Sequence, residues 1–163
     1  MVSNQNLDRY ALISVYDKTN LSFICKTLYK NNIGIISTGS THKKISELGF
    51  KSYEISKLTN FKEILGGRVK TLHPKIYTSI LHDRSKENHY QTFKKIKFPK
   101  IDYIIVNLYP FEKFSSKNKN ELVSIEMIDI GGVSLLRAGS KNFHSITSIS
   151  SPKDYFQFNK NLE

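Results

Sequence analysis

The feature that most constrains the fold is a series of short apolar runs, each followed by a segment of helical periodicity. The strongest run is Ile101-Asp102-Tyr103-Ile104-Ile105-Val106-Asn107-Leu108. It is rich in β-branched and aromatic residues and short for a helix, so it reads as a strand. Tyr10-Ala11-Leu12-Ile13-Ser14-Val15-Tyr16 reads the same way and stops at the polar turn Asp17-Lys18-Thr19-Asn20. Ile35-Ile36, Tyr53-Glu54-Ile55 and Ile146 to Ser150 add shorter strands. Leu21, Ile24, Cys25 and Leu28 recur at helical spacing until Asn31-Asn32-Ile33-Gly34 stops the helix. A second helical pattern follows Ser37-Thr38-Gly39-Ser40-Thr41 and runs to Leu48-Gly49. Further helices are expected over Pro74 to His82, Glu121 to Met127, Val133 to Lys141 and Pro152 to Leu162. Phe61 to Leu65 has no clear pattern, and Ser115 to Asn120 reads as a polar loop. Asp83 to Lys100 reads as a lysine-rich stretch with an exposed helix carrying Phe93, Ile96 and Phe98. Strands alternating with helices predict an α/β three-layer sandwich around a mainly parallel sheet. In such sheets ligands bind beyond the carboxyl ends of the strands. Ser14 to Lys18, Thr38 to Thr41 and Asn107 to Tyr109 fall at those ends.

A chain of 163 residues fits one domain, here residues 1–163, with a core of its own. No apolar run approaches a membrane span, and the first residues lack the apolar centre of a signal peptide. Cys25 is the only cysteine, which excludes an internal disulfide; within its helical pattern it reads as a small buried hydrophobe. The expected location is the cytoplasm. The net charge of +11 invites a nucleic-acid reading. The lysines, however, are spread along the chain rather than gathered in a stripe, and abundant Lys, Asn, Ile, Tyr and Phe is what AT-rich codons produce. Neither a specific nucleic acid nor a membrane is expected as a partner. The charge instead favours attraction of a small anionic ligand.

Gly66-Gly67-Arg68-Val69-Lys70-Thr71-Leu72-His73-Pro74-Lys75 combines a sharp bend with two cations two residues apart. In an extended segment such residues point to one side, so Arg68 and Lys70 converge on a phosphate or carboxylate. The plainer reading is a basic surface loop before a helix start at Pro74. Ser37-Thr38-Gly39-Ser40-Thr41, between a strand and a helix, is either a helix cap or an anion cradle to which Lys18 adds charge. It is neither a Walker loop nor a dinucleotide fingerprint. Asp129 and Lys141 flank the Gly131-Gly132 turn and its helix; in one cleft they can exchange protons, and outside one they are an exposed pair. Tyr109 is a hydrogen-bond donor or an amphipathic strand end. His73, His82 and His89 lack metal-ligand spacing and read as structural or solvated. A covalent nucleophile has no signature.

Five motifs stand in order: Ser14-Val15-Tyr16-Asp17-Lys18-Thr19, Ser37 to Thr41, Gly66 to Pro74, Asn107-Leu108-Tyr109-Pro110-Phe111, and Ile128-Asp129-Ile130-Gly131-Gly132 leading to Leu135-Leu136-Arg137-Ala138-Gly139-Ser140-Lys141-Asn142. Together they resemble the IMP cyclohydrolase domain of the bifunctional purine-biosynthesis proteins, from about Tyr10 to Tyr155. The resemblance implies a methylglyoxal-synthase-like fold. It implies ring closure of 5-formamido-imidazole-4-carboxamide ribotide to IMP with loss of water, with no metal or redox cofactor, in a homodimer. It places Lys70, Tyr109, Asp129 and Lys141 around the reacting groups. Ser14, Tyr16, Asp17, Lys18, Thr38, Gly39, Ser40, Thr41, Arg68, Thr71, Val106, Asn107 and Ile130 would line the nucleotide site. This chain departs from the family at Tyr16, where a small Ser is usual, at Ser40, where Gly is usual, and at Gly139-Ser140, where two alanines are usual. Tyr16 would crowd the phosphate or add a hydroxyl, and Gly139 would loosen the helix presenting Lys141. The formyltransferase domain of the family is absent from this sequence, and the cyclohydrolase region reads as cut short at its C-terminal end. Two related readings share the fold: a non-catalytic nucleotide-binding regulatory module and a methylglyoxal synthase. Neither needs the Asn-Leu-Tyr-Pro-Phe and Lys-Thr-Leu-His-Pro motifs.

Overall fold

Five strands, all parallel, form one sheet in the order β3-β2-β1-β4-β5 in the computed structural model, which describes residues 7–115 and 121–162. β1 is Tyr10–Val15, β2 Gly34–Ser37, β3 Tyr53–Glu54, β4 Ile101–Asn107 and β5 Thr147–Ile149. The helices are α1 (Leu21–Lys30), α2 (Gly39–Glu47), α3 (Ile55–Thr59), α4 (Pro74–Leu81), α5 (Glu87–Ile96), α6 (Phe111–Ser115), α7 (Glu121–Glu126), α8 (Gly131–Lys141) and α9 (Tyr155–Leu162).

The apolar runs form strands because both sheet faces are covered. Ala11, Ile13, Val15, Tyr103 and Ile105 pack with Leu21, Ile24, Cys25 and Leu28 of α1 and Tyr155 and Phe158 of α9. The alternate residues Leu12, Ile104 and Val106 pack on the other face with Ile76 and Ile80 of α4 and Leu135 and Ala138 of α8. Helix, sheet, helix are the three layers expected of near-continuous apolar strands in a parallel sheet.

Register sets up the site. Val15 pairs with Asn107 across β1 and β4, and Ile13 pairs with Ser37 across β1 and β2. The three chains therefore leave the sheet side by side, bringing Tyr16 to Lys18, Thr38 to Thr41 and Leu108-Tyr109 together.

Several boundaries differ from the sequence reading. Ile55 opens α3 instead of closing β3, since its buried side chain joins the α4/α8 core. Phe98 lies beyond α5 and is buried, while Phe93 on α5 stacks on His82 at 4.3 Å between ring centroids. Ser115 ends α6; residues 116–120 of the expected loop lie outside the described residues. The last helix begins at Tyr155, after a 3₁₀ turn over Pro152–Asp154. Leu65–Gly67 is also a 3₁₀ turn, closed by an isolated antiparallel bridge between Ile64 and Val69. At Gly139 α8 packs tightly on the sheet: a Cβ there would lie 2.2 Å from Ser148 Oγ and 3.0 Å from Ile104 Cδ1.

Candidate active site

A cavity of about 660 Å³ opens at the carboxyl ends of β1, β2 and β4. Its floor is the start of α2. Thr38 flanks that helix without capping it; its hydroxyl instead meets Ser14 Oγ at 3.0 Å. Thr41 is also committed to the strand end, donating to the Val15 carbonyl at 3.1 Å and accepting from the Val15 N–H at 3.2 Å. With both hydroxyls turned to β1, the first-turn N–H groups of α2 have no side-chain cap, the arrangement that suits a bound anion. This favours the cradle over the cap.

Cations converge on this floor. Lys70 Nζ lies 3.1 Å from where a Cβ on Gly39 would sit, so the glycine leaves room for the ammonium above the helix start. Lys18 Nζ donates to the carbonyls of Val15 and, at 3.3 Å, Tyr16. Burial pushes Lys18 below the ordinary lysine value, with Asp17 opposing the shift. Arg68 also lines the cavity but by a different route from the one expected. Leu65, Gly66 and Gly67 all take positive φ (54°, 63° and 93°), and Arg68 is helical rather than extended. The two cations therefore do not point together from one strand. Arg68 pairs with Glu126 of α7, and Lys70 pairs with Glu63 at 2.6 Å. The contact with Arg68 holds the Glu126 carboxyl below its ordinary range and raises Arg68 in turn.

The opposite wall is the start of α8. Asp129 Oδ1 accepts from the Gly132 N–H at 2.6 Å, a charge-assisted bond at a helix N-terminus. A Cβ on Gly132 would lie 2.8 Å from Asp129 Oδ2 and from Leu108 Cδ2, and one on Gly131 would lie 2.8 Å from Thr71 Oγ1. Only glycines let the carboxylate and the threonine sit this close to the helix start. Asn107 ties the mouth together. It accepts from the Tyr16 and Asp17 N–H groups at 2.7 and 2.8 Å and donates to the Asp17 carbonyl at 2.9 Å. Tyr16 and Tyr109 stand there with ring centroids 5.1 Å apart.

Of the residues expected at the site, Ser14, Tyr16, Lys18, Thr38, Ser40, Thr41, Arg68, Lys70, Thr71, Asn107, Tyr109, Asp129 and Ile130 line the cavity. Gly39 lies between two of them, beneath Lys70. Asp17 turns away to cap its own turn, accepting from Thr19 N–H at 2.8 Å. Val106 is buried in the core between sheet and helices. Lys141 is the last residue of α8 and exposed, outside the cavity lining; at roughly 1.5 Å per residue it stands a helix length away from Asp129. The sequence reading missed Glu63 and Glu126, whose spacing carries no signal, and the apolar rim of Ile125 and Ile128.

The histidines serve the fold. His73 caps α4, accepting from Lys75 N–H at 3.2 Å; His82 is buried against Phe93; and His89 accepts from Asp83 N–H at 3.0 Å. Among the described residues no group of three or more His, Cys, Asp or Glu is gathered to hold a metal. Nor, among them, is any helix long and apolar enough to cross a membrane.

Comparison with known proteins agrees with this architecture. The bifunctional purine biosynthesis protein PurH of Fusobacterium nucleatum is 48% identical over 145 residues, which is 89% of this chain and 29% of that protein. PurH of Corynebacterium glutamicum is 43% identical over 155 residues, 95% of this chain and 30% of that protein. The chain thus spans under a third of the length of these relatives. The crystal structure of ForH superposes with a TM-score of 0.80 at 26% identity, covering 93% of this chain and 76% of that one. Residues 20–134, which run from the end of the first turn into α8 and include the starts of α2 and α8 that face the cavity, match the MGS-like domain, and the chain belongs to that family.

Proposed function

We propose that this domain is an IMP cyclohydrolase, closing the ring of 5-formamido-imidazole-4-carboxamide ribotide to IMP. The observation that carries the proposal is a single cavity that joins an uncapped helix start flanked by Lys18 and Lys70 to Asp129 and Tyr109. The 5′-phosphate sits on the α2 start, where N–H groups and cations meet it. The imidazole ring then extends toward α8. The carboxamide nitrogen attacks the formyl carbon and loses a proton while the formyl oxygen gains one. The resulting carbinolamine gives up its hydroxyl, with one more proton, as water. A carboxylate only accepts hydrogen bonds and an ammonium only donates them, so Asp129 serves the nitrogen, and Lys70 or Tyr109 the oxygen. The carboxamide is a poor nucleophile, so holding it against the formyl carbon supplies much of the acceleration. PurH relatives are named for purine biosynthesis, which fits this chemistry. The partner is a small nucleotide, in a homodimer by family likeness, without nucleic acid or membrane.

The non-catalytic nucleotide-binding reading is favoured by one observation, the placement of Lys141 outside the cavity. Mixing the protein with the formylated ribotide and following IMP by its ultraviolet spectrum separates the two. Formation of IMP at a rate proportional to protein supports the enzyme. Binding of the ribotide with no IMP formed leaves the regulatory module.

A further inference from the structure

Tyr16 is one of the cavity residues at which this chain departs from the family it resembles. Its backbone is fixed from both sides: Asn107 Oδ1 takes its N–H at 2.7 Å, and Lys18 Nζ meets its carbonyl at 3.3 Å. The side chain lines the same cavity as the phosphate floor and lies outside the core. It stands at the mouth against Tyr109, ring centroids 5.1 Å apart and planes inclined at 57°. Despite that contact the two tyrosines remain 44% and 43% exposed. Two adjacent aromatic rings beside a polar, cation-lined floor make an amphiphilic cavity, with charge recognition at one end and a stacking surface at the other.

From this juxtaposition we infer that Tyr16, with Tyr109, forms an aromatic wall on which the heteroaromatic ring of a ribonucleoside 5′-phosphate stacks. Tyr16 thereby biases the site toward ligands that carry a ring as well as a phosphate. This deepens the proposed function and rests on it for the identity of the nucleotide. A face of a tyrosine left open to water gains from covering by a planar base, and such stacking is tolerant of base identity because every base has a π-face. The wall leaves the phosphate contacts alone, since these belong to α2, Lys18 and Arg68. A ligand without a ring therefore gains nothing from it. The phenolic hydroxyl is dispensable, because the contact is made by the ring.

The test is calorimetric titration of the parent, Tyr16→Ser and Tyr16→Phe proteins with IMP, AMP and ribose 5-phosphate, alongside thermal melts. The expected result is an IMP affinity about tenfold weaker in Tyr16→Ser, with AMP weakened alike. Ribose 5-phosphate affinity and the melting midpoint should hold, and Tyr16→Phe should match the parent. Because the chain has nine tyrosines and no tryptophan, IMP should also quench tyrosine emission less in Tyr16→Ser. Equal weakening of IMP and ribose 5-phosphate would make Tyr16 a support for the phosphate floor and overturn the inference. So would unchanged affinity for all ligands, or a parent that binds neither IMP nor AMP. A parent that binds nucleotides in a Tyr16-dependent way but forms no IMP keeps the wall and overturns the proposed reaction alone.

Discussion

Replacing Gly132 by alanine tests whether Asp129 must stand where it does. The new Cβ would lie 2.8 Å from Asp129 Oδ2, 3.0 Å from Oδ1 and 2.8 Å from Leu108 Cδ2. Ordinary contact begins near 3.4 Å, so the carboxylate must retreat by about half an ångström. Misplacing a reacting group by about 1 Å costs on the order of 100-fold, and half that displacement about half of it on a logarithmic scale. The expected fall in turnover is therefore about tenfold. Stability has two opposing contributions. Weakening the bond from Gly132 N–H to Asp129, 2.6 Å in the parent, costs part of the roughly 1.5–3 kcal/mol of a charge-assisted hydrogen bond. Alanine in a helix recovers about 1 kcal/mol relative to glycine. The net cost is on the order of 1 kcal/mol, or roughly 2–4 °C in melting midpoint for a chain of this size. The assays are IMP formation from the formylated ribotide, IMP titration and a thermal melt. Turnover should fall while IMP affinity changes little, because the phosphate floor lies at α2. A variant that turns over within about twofold of the parent would show that the carboxylate position is immaterial, and the role given to Asp129 would fail.

Arg68→Ala should weaken IMP much more than inosine in parallel titrations, and equal losses would place the phosphate away from Arg68. Glu126→Gln removes the carboxylate that competes for Arg68; it should tighten IMP by about two- to fivefold at low salt and by less at high salt. Lys141→Met should leave IMP affinity unchanged, since Lys141 lies beyond the cavity; a loss of turnover of about 100-fold would return it to the reacting groups, and near-normal turnover leaves Lys70 as the leading donor. Burial pushes the Cys25 thiol from 9.0, and the Tyr155 hydroxyl from 10.0, up to about 12. Both groups hold their protons longer in the folded state, so their stabilisation is complete below the unfolded values and lost as pH rises toward about 12. Denaturant midpoints measured from neutral pH upward should fall through that window, and a flat profile would show that neither side chain is sealed from water.

The fold was legible because its strands are fully covered. A residue run such as Ile101 to Asn107, buried on both faces, has few alternatives in a chain whose intervening segments repeat at helical spacing. The edges were less legible. Ile55 looks like strand by its β-branch and becomes helix because the α4/α8 core needs an apolar side chain there. At the site, residues at strand ends were placed by register alone, which is why Ser14, Thr38 and Asn107 come together. What the sequence could not show depends on distances between segments far apart in the chain. Glu126 meets Arg68 across 58 residues, and Gly139 lets α8 pack against Ser148 and Ile104. Arg68 and Lys70 illustrate the same limit. An Arg-x-Lys spacing predicts convergence only if the backbone is extended, and three consecutive positive φ values before Arg68 remove that condition.

The cations of the cavity differ in how they answer an arriving anion. Arg68 and Lys70 already face carboxylates, and both Glu126 and Glu63 are half exposed, with side-chain accessibilities of 55% and 54%. Exchanging such a partner for a phosphate costs little, because the released carboxylate is readily hydrated. It also gains little, because one anion replaces another. Lys18 is different. It is held by two carbonyls at a partly buried strand end, and burial has pushed its pKa down despite Asp17. A phosphate beside it would act in the same sense as Asp17 and oppose that shift. By linkage, the protonated form of Lys18 then binds the phosphate more tightly than the neutral form does. On the proposed function, Lys18 is thus a floor cation whose lowered pKa a bound phosphate would raise, while Arg68 and Lys70 would meet that phosphate as their carboxylates are displaced.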